Sequence, residues 1–220
     1  MIKAIVFDMD GVIVDTEFQD FRIQQEFIKK ENPAINTHET DFSELIGQSY
    51  EMLYRTLRKF IGSNDTLTII KERFEAYNET AYKSINYQQL FRKDILLILN
   101  WAKVNNILLA VASSSTHEHI LEVLKSCEIK DYFDVIYSGE FVEESKPSPT
   151  IYLNTLKKLA VKPNEAIAIE DSFYGISAAK AAGIPTIAYE ETRAVIDQSA
   201  ADYLAVDMVE IYHLIQTLNR

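Results

Sequence analysis

Short apolar runs recur along the chain at 4–7, 108–112, 135–137, 166–169 and 186–188, each rich in Val, Ile, Leu and Ala. Runs of four or five such residues, bounded by Gly, Pro, Ser or Asp, read as buried strands. Between the later runs, at 94–105, 116–126, 149–159 and 173–182, apolar residues return with the three-to-four spacing of amphipathic helices. Strand and helix in regular alternation predict an α/β fold, a parallel sheet with helices on both faces. The segment 16–85 breaks the rhythm. There Ile46, Tyr50, Leu53, Leu57 and Phe60 step by four and three, as do Ile70, Phe74, Tyr77 and Ala81, with no strand between them. The pattern predicts an all-helical insert after the first strand, giving a core of residues 1–15 and 87–220 and a second domain of 16–86. The two connections, near Asp15-Thr16 and at 84–87, would form a paired hinge that lets the insert close over the sheet.

Composition narrows this picture. The 220 residues are 47% hydrophobic and 25% charged, the balance of an ordinary globular protein large enough for one sizeable core and an appendage. No apolar run approaches the roughly 18 residues that cross a bilayer, and the N-terminal apolar stretch breaks at Asp8, too early for a signal peptide. A cytoplasmic location is the expectation. The single cysteine, Cys127, sits among apolar residues at helical spacing, excludes an internal disulfide and reads as a small core residue. Trp101 is expected in the core, and His117 and His119 at the surface. A net charge of -11 argues against nucleic acid and anionic membranes as partners. It leaves room for a small anionic ligand, because a bound divalent cation reverses the local field. Nothing in the pattern calls for a second chain, so a monomer is expected.

Ligands of open parallel sheets bind beyond the carboxyl ends of the strands, so what each strand delivers there matters most. The first run ends in D-M-D-G, placing Asp8, Asp10 and Gly11; the second ends in V-A-S-S-S, with Ser113 and Ser114. After the third comes S-K-P-S-P, with Lys146, and the fourth ends in I-E-D-S, with Glu170 and Asp171. Each segment has a plain structural use: serines, or Asp171, cap helices, D-x-D-G starts a turn, and a lysine is usually solvated. Those uses leave unexplained why four successive elements deliver carboxylates, hydroxyls and a lysine to one rim. As a single site, Asp8, Glu170 and Asp171 form an all-oxygen cluster suited to Mg²⁺. Lys146 and the Ser113 hydroxyl, with the Gly11 and Ser114 backbone nearby, would then hold a phosphoryl group. A carboxylate facing that group is a nucleophile, and attack on phosphorus gives an aspartyl phosphate. Asp10 stands two residues on, where it can protonate the departing oxygen and later take a proton from water.

These four segments, in this order and with a helical insert after the first, resemble the haloacid dehalogenase superfamily, in particular the subgroup of β-phosphoglucomutase and the small sugar-phosphate phosphatases. The resemblance spans nearly the whole chain, through Gly175 and Ala181-Ala182-Gly183. It implies a Rossmann-like core, an inserted helical cap and Mg²⁺-dependent phosphoryl transfer. By the family pattern Asp8 is the nucleophile and Asp10 the acid/base. Mg²⁺ would take the Asp8 side chain, the Asp10 main-chain oxygen and Glu170 or Asp171, while Ser113 and Lys146 hold the phosphoryl group. The dehalogenase and phosphonate-cleaving branches lack an acid at the position of Asp10. A mutase needs a cation in the cap for its second phosphate. Where β-phosphoglucomutases carry a histidine and an arginine, this chain aligns Asp20 and Tyr50, although Arg22, Arg55 and Arg58 lie close by in sequence. The expectation is a phosphatase of a small phosphorylated metabolite, with a hexose-phosphate mutase second and an inactive binding module third.

Overall fold

A computed structural model describes residues 1–220 apart from 38, 46–49, 83–84, 194–195 and 220, and gives the backbone alone at 17, 18, 43, 50 and 51. Ile46, Ser84 and the side chain of Tyr50 therefore lie outside the described residues. In chain order the elements are β1 (Ala4–Phe7), α1 (Thr16–Glu31), α2 (Tyr50–Ile61), α3 (Leu67–Tyr82), α4 (Tyr87–Leu90), α5 (Ile95–Val104), β2 (Leu108–Ser113), α6 (His117–Ser126) and β3 (Val135–Ser138). They continue with α7 (Thr150–Leu159), β4 (Ala166–Glu170), α8 (Phe173–Ala181), β5 (Thr186–Tyr189), β6 (Tyr203–Ala205) and α9 (Met208–Leu218). The chain divides into two compact units, Met1–Asp15 with Tyr87–Arg220, and Thr16–Asn86.

The first unit is built on a six-stranded sheet of order β3-β2-β1-β4-β5-β6, every neighbouring pair parallel. The α/β class follows the strand–helix alternation. Residues of β1 and β4 are buried on both faces, the reason their sequences run apolar without alternating. Side chains still point to opposite faces in turn. Ala4, Val6, Ala166 and Ala168 share one core cluster with Ile151, Tyr152 and Leu156 of α7 and Ala178 and Ala179 of α8. Small alanines on this face let the two helices sit close to the strands.

Three elements lie beyond the pattern traced in sequence: the one-turn α4, β6 and α9. β6 is a three-residue edge strand whose Tyr203 and Leu204 are exposed, too short for a period to register. α9 begins at an Asp207 cap, whose side chain accepts from the Glu210 amide at 2.8 Å, and buries Met208, Ile211 and Ile215. Trp101 is half-buried rather than in the core, its ring edge-on to Tyr212 of α9 with centroids 6.3 Å apart. His117 and His119 are likewise half-buried, against the rings of Phe141 and Tyr87. Cys127 is buried, and burial pushes its thiol up to about 11.

The second unit packs α1, α2 and α3 around Ile23, Phe27, Ile28, Phe42, Leu45, Leu53, Leu57, Ile70 and Phe74. Phe27 meets Phe74 edge to face at 5.2 Å, a favoured aromatic geometry. Leu53 and Leu57 take the inward positions their spacing predicts, as do Ile70 and Phe74. Among the described residues no helix is long and apolar enough to cross a membrane.

Candidate active site

The chain leaves β1 toward β2 on one side and leaves β4 toward β5 on the other, although β1 and β4 are neighbours. Such a switch of direction opens a crevice at the carboxyl ends of the two strands. Register then decides what meets there. Phe7 pairs with Ile169, so Asp8 falls beside Glu170, and the Asp8 amide donates to the Ile169 carbonyl at 2.9 Å. Alternation puts Asp8 on the face of Ala4 and Val6, and Glu170 on that of Ala166 and Ala168. Both carboxylates therefore project on the α7 and α8 side of the sheet.

Lys146 arrives from the loop before α7 with its side chain only 7% exposed. Its Nζ lies 2.6 Å from Asp8 Oδ1, 2.7 Å from Glu170 Oε1 and 3.0 Å from the Ala112 carbonyl, so all three of its protons have acceptors. Tyr152, fully buried on α7, donates its hydroxyl to the same Glu170 oxygen at 2.6 Å. The Asp171 amide reaches Glu170 Oε2 at 3.2 Å. Glycine makes the remaining approaches possible. A Cβ on Gly175 would overlap the Glu170 carboxylate, and one on Gly11 would overlap that of Asp171. Gly11 also has φ +78°, a conformation that favours glycine. Ser172 caps α8 by accepting from the Gly175 amide at 3.0 Å. The Asp171 carbonyl accepts from Gln198 Nε2 at 2.5 Å, which ties it to the segment after β5.

The oxygens of Asp8, Glu170 and Asp171 lie within 4.8 Å of one another, and all three residues are buried. Three carboxylates face one ammonium. Burial lifts the Asp8 carboxyl to about 8, against the pull of Lys146 and with added repulsion from Glu170 and Asp10. Burial alone works to discharge Lys146, but Asp8 and Glu170 outweigh it and hold its pKa above the ordinary value. Burial, and then the Glu170 charge, push the Tyr152 phenol well above its usual range, keeping it a donor. With Asp8 ionised, Lys146 offsets one of the three carboxylates. A hard divalent cation suits the other two and the all-oxygen donor set, so the residues fit Mg²⁺.

Asp10 is half-buried, and its Oδ2 accepts from Ser115 Oγ at 2.9 Å. Ser113 is buried and accepts from the Ser115 amide at 3.1 Å, whereas Thr116 is the residue that caps α6. Ser114 is exposed, its backbone close against Gly139. Asp8, Lys146, Glu170 and Asp171 thus form one cluster with Gly11 against it. The sequence pattern singles out neither Tyr152, Ser115 nor Gln198, and Gly175 enters it only as part of the family resemblance. Tyr152 sits at core spacing in I-Y-L, and Ser115 and Gln198 bond to Asp10 and Asp171 across long stretches of chain, so none of the three carried a local signal.

The sequence pattern of haloacid dehalogenase-like hydrolases matches residues 5–189. The phosphorylated carbohydrates phosphatase of Thermotoga maritima is 31% identical over 190 residues, 84% of this chain and 84% of that protein. Among solved structures, β-phosphoglucomutase (pgmB) from Clostridium difficile is 25% identical with a TM-score of 0.74, covering 99% of this chain and 96% of that one. A mutant of CbbY from Rhodobacter sphaeroides, solved with xylulose-(1,5)bisphosphate, is 26% identical with a TM-score of 0.68 and covers 96% of each. With that pattern running from within β1 to the end of β5, the chain belongs to the haloacid dehalogenase-like hydrolase family.

Proposed function

We propose that this chain is a Mg²⁺-dependent phosphatase of small phosphomonoesters, sugar phosphates among them, and that it works through an aspartyl phosphate on Asp8. The meeting of Asp8, Lys146, Glu170 and Asp171 at the switch point of the sheet carries this reading. A phosphatase relative that acts on phosphorylated carbohydrates supports the substrate class.

In this reading Mg²⁺ is held by the carboxylates of Asp8 and Asp171, the Asp10 main-chain oxygen and Glu170, and supplies a Lewis acid for the phosphoryl oxygens. Lys146 and the Ser113 hydroxyl hold those oxygens, with the Gly11 and Ser114 backbone beside them. A carboxylate oxygen of Asp8 attacks phosphorus while the bond to the ester oxygen breaks, and Asp10 gives that oxygen its proton. Asp10, now the base, takes a proton from water as the water attacks the aspartyl phosphate, releasing phosphate and restoring both carboxyls. Thr16–Asn86 serves as the cap that selects the rest of the substrate.

A mutase is the second reading, favoured by the β-phosphoglucomutase neighbour. Against it, Asp20 stands where that subgroup carries a histidine, and its carboxylate accepts from the Tyr82 hydroxyl. A carboxylate there repels a second phosphate. The test is phosphate release from a panel of sugar phosphates with Mg²⁺ and with EDTA. Release is expected with Mg²⁺ alone, and Asp8→Asn should lower it on the order of 10³-fold or more. Activity that survives this substitution removes Asp8 as nucleophile. Conversion of a sugar 1-phosphate to a 6-phosphate only with a bisphosphate primer selects the mutase.

A further inference from the structure

We infer that Arg92 is a positioning residue for Asp10, a role that rests on the phosphatase reading above. Arg92 lies where the chain re-enters the sheet unit, and its side chain is 17% exposed. Its guanidinium serves three acceptors in three directions. Nε donates to the Gly11 carbonyl at 3.2 Å, one terminal nitrogen donates to the Tyr189 hydroxyl at 2.8 Å, and the other lies 3.2 Å from Asp15 Oδ1. The guanidinium carbon stands 4.1 Å from the centre of the Tyr189 ring. Only a planar fork does all of this at once, and a lysine ammonium does not.

Closing the two chain crossings does not require this arrangement. The Arg92 amide already donates to the Ile13 carbonyl at 3.1 Å and the Asp15 amide to the Leu90 carbonyl at 2.9 Å. Asp15 also has a two-pronged pair with Arg193 at 2.9 and 2.8 Å. What Arg92 adds is a hold on the residue directly after Asp10. Gly11 lacks a side chain, sits at positive φ and packs its α-carbon against Asp171. Its amide donates to the Val14 carbonyl at 2.8 Å, and Arg92 secures its carbonyl. A glycine held on both sides cannot use its extra backbone freedom, so the Asp10 carboxyl works from a fixed base when it leaves Ser115 for the ester oxygen. Small displacements of an acid cost rate steeply.

The test compares two esters. Nitrophenolate departs without a proton, whereas the alkoxide of a sugar phosphate needs one, so a misplaced acid is felt chiefly by the sugar ester. The ratio kcat/KM reports only the steps through alcohol departure, which leaves out the water step common to both esters. For Arg92→Met, kcat/KM should fall about tenfold further for the best sugar phosphate of the panel than for p-nitrophenyl phosphate, a modest part of what an acid supplies. Arg92→Lys should show the same bias, and Tyr189→Phe a smaller one. Equal losses for the two esters in all three variants overturn the assignment, since a purely structural role slows both alike. If Arg92→Met fails to fold, Tyr189→Phe, which removes one hydroxyl, decides by the same ratio. Wild-type protein that cleaves neither ester refutes the phosphatase reading and this role with it; wild-type activity with unbiased variants refutes this role alone.

Discussion

At the scale of single residues the site is a problem of charge. Asp8, Glu170 and Asp171 are buried with one lysine among them, and burial, with Glu170 and Asp10 adding to it, raises the Asp8 carboxyl from 3.8 to about 8. A carboxyl raised in the folded state contributes stability that is fully present below 3.8 and lost as pH climbs through about 8. The metal-free protein should therefore lose stability over that interval. Mg²⁺ competes with the same proton for the same oxygens, so its effect should grow as the proton leaves. Thermal melts with and without Mg²⁺ should show a larger stabilisation near pH 8 than near about pH 5, reaching about 2.7 kcal/mol at about a hundred times Kd. A stabilisation that shrinks with rising pH would contradict the assigned metal site. Asp8, Lys146, Glu170 and Asp171 were legible in sequence because each ends or follows a recognisable strand. Tyr152 and Arg92 were not, because an aromatic at core spacing and an arginine before a helix look ordinary until the partner across the fold is seen.

At the scale of elements, β4 and α8 show how tightly a helix must approach for the chemistry to be possible. Gly175 lies in the first turn of α8 directly against the Glu170 carboxylate. Helix propensity alone favours Gly175→Ala by about 1 kcal/mol. The added methyl, however, must displace a fully buried carboxylate held by Lys146 and Tyr152, and breaking such a pair costs about 3–5 kcal/mol. The clash should win, with Gly175→Ala less stable by about 2–4 kcal/mol in denaturant or calorimetric unfolding. A variant as stable as wild type would mean that Glu170 is free to move. Five strands were visible because each carries a short apolar run, uninterrupted in β1 and β4 where both faces are buried. β6 was not, since pairing along one edge needs no such run, whereas α6 begins where its spacing predicted, at a Thr116 cap whose oxygen accepts from the His119 amide.

Across the whole molecule, each unit encloses apolar residues of its own, the helical one around Phe27 and Phe74, the sheet one around β1, β4, α7 and α8. The candidate chemistry lies in the sheet unit. Replacing 16–86 by a short Gly/Ser linker should thus leave a cooperatively folded protein that still cleaves p-nitrophenyl phosphate, while its preference among sugar phosphates collapses. Unchanged preference would place selection on the rim of the sheet instead. On the proposed reading the identity of the substrate stayed illegible because the motifs would hold only the transferred group.

Val14 bridges to Phe91, and the Asp15 amide bonds to Leu90, so the outgoing and returning strands of chain run side by side. A doorway that narrow accepts any folded module whose own ends sit equally close, whatever its size, at little entropic penalty. On the proposed reading, exchanging that module would change which esters reach the sheet while leaving its carboxylates and lysine in place.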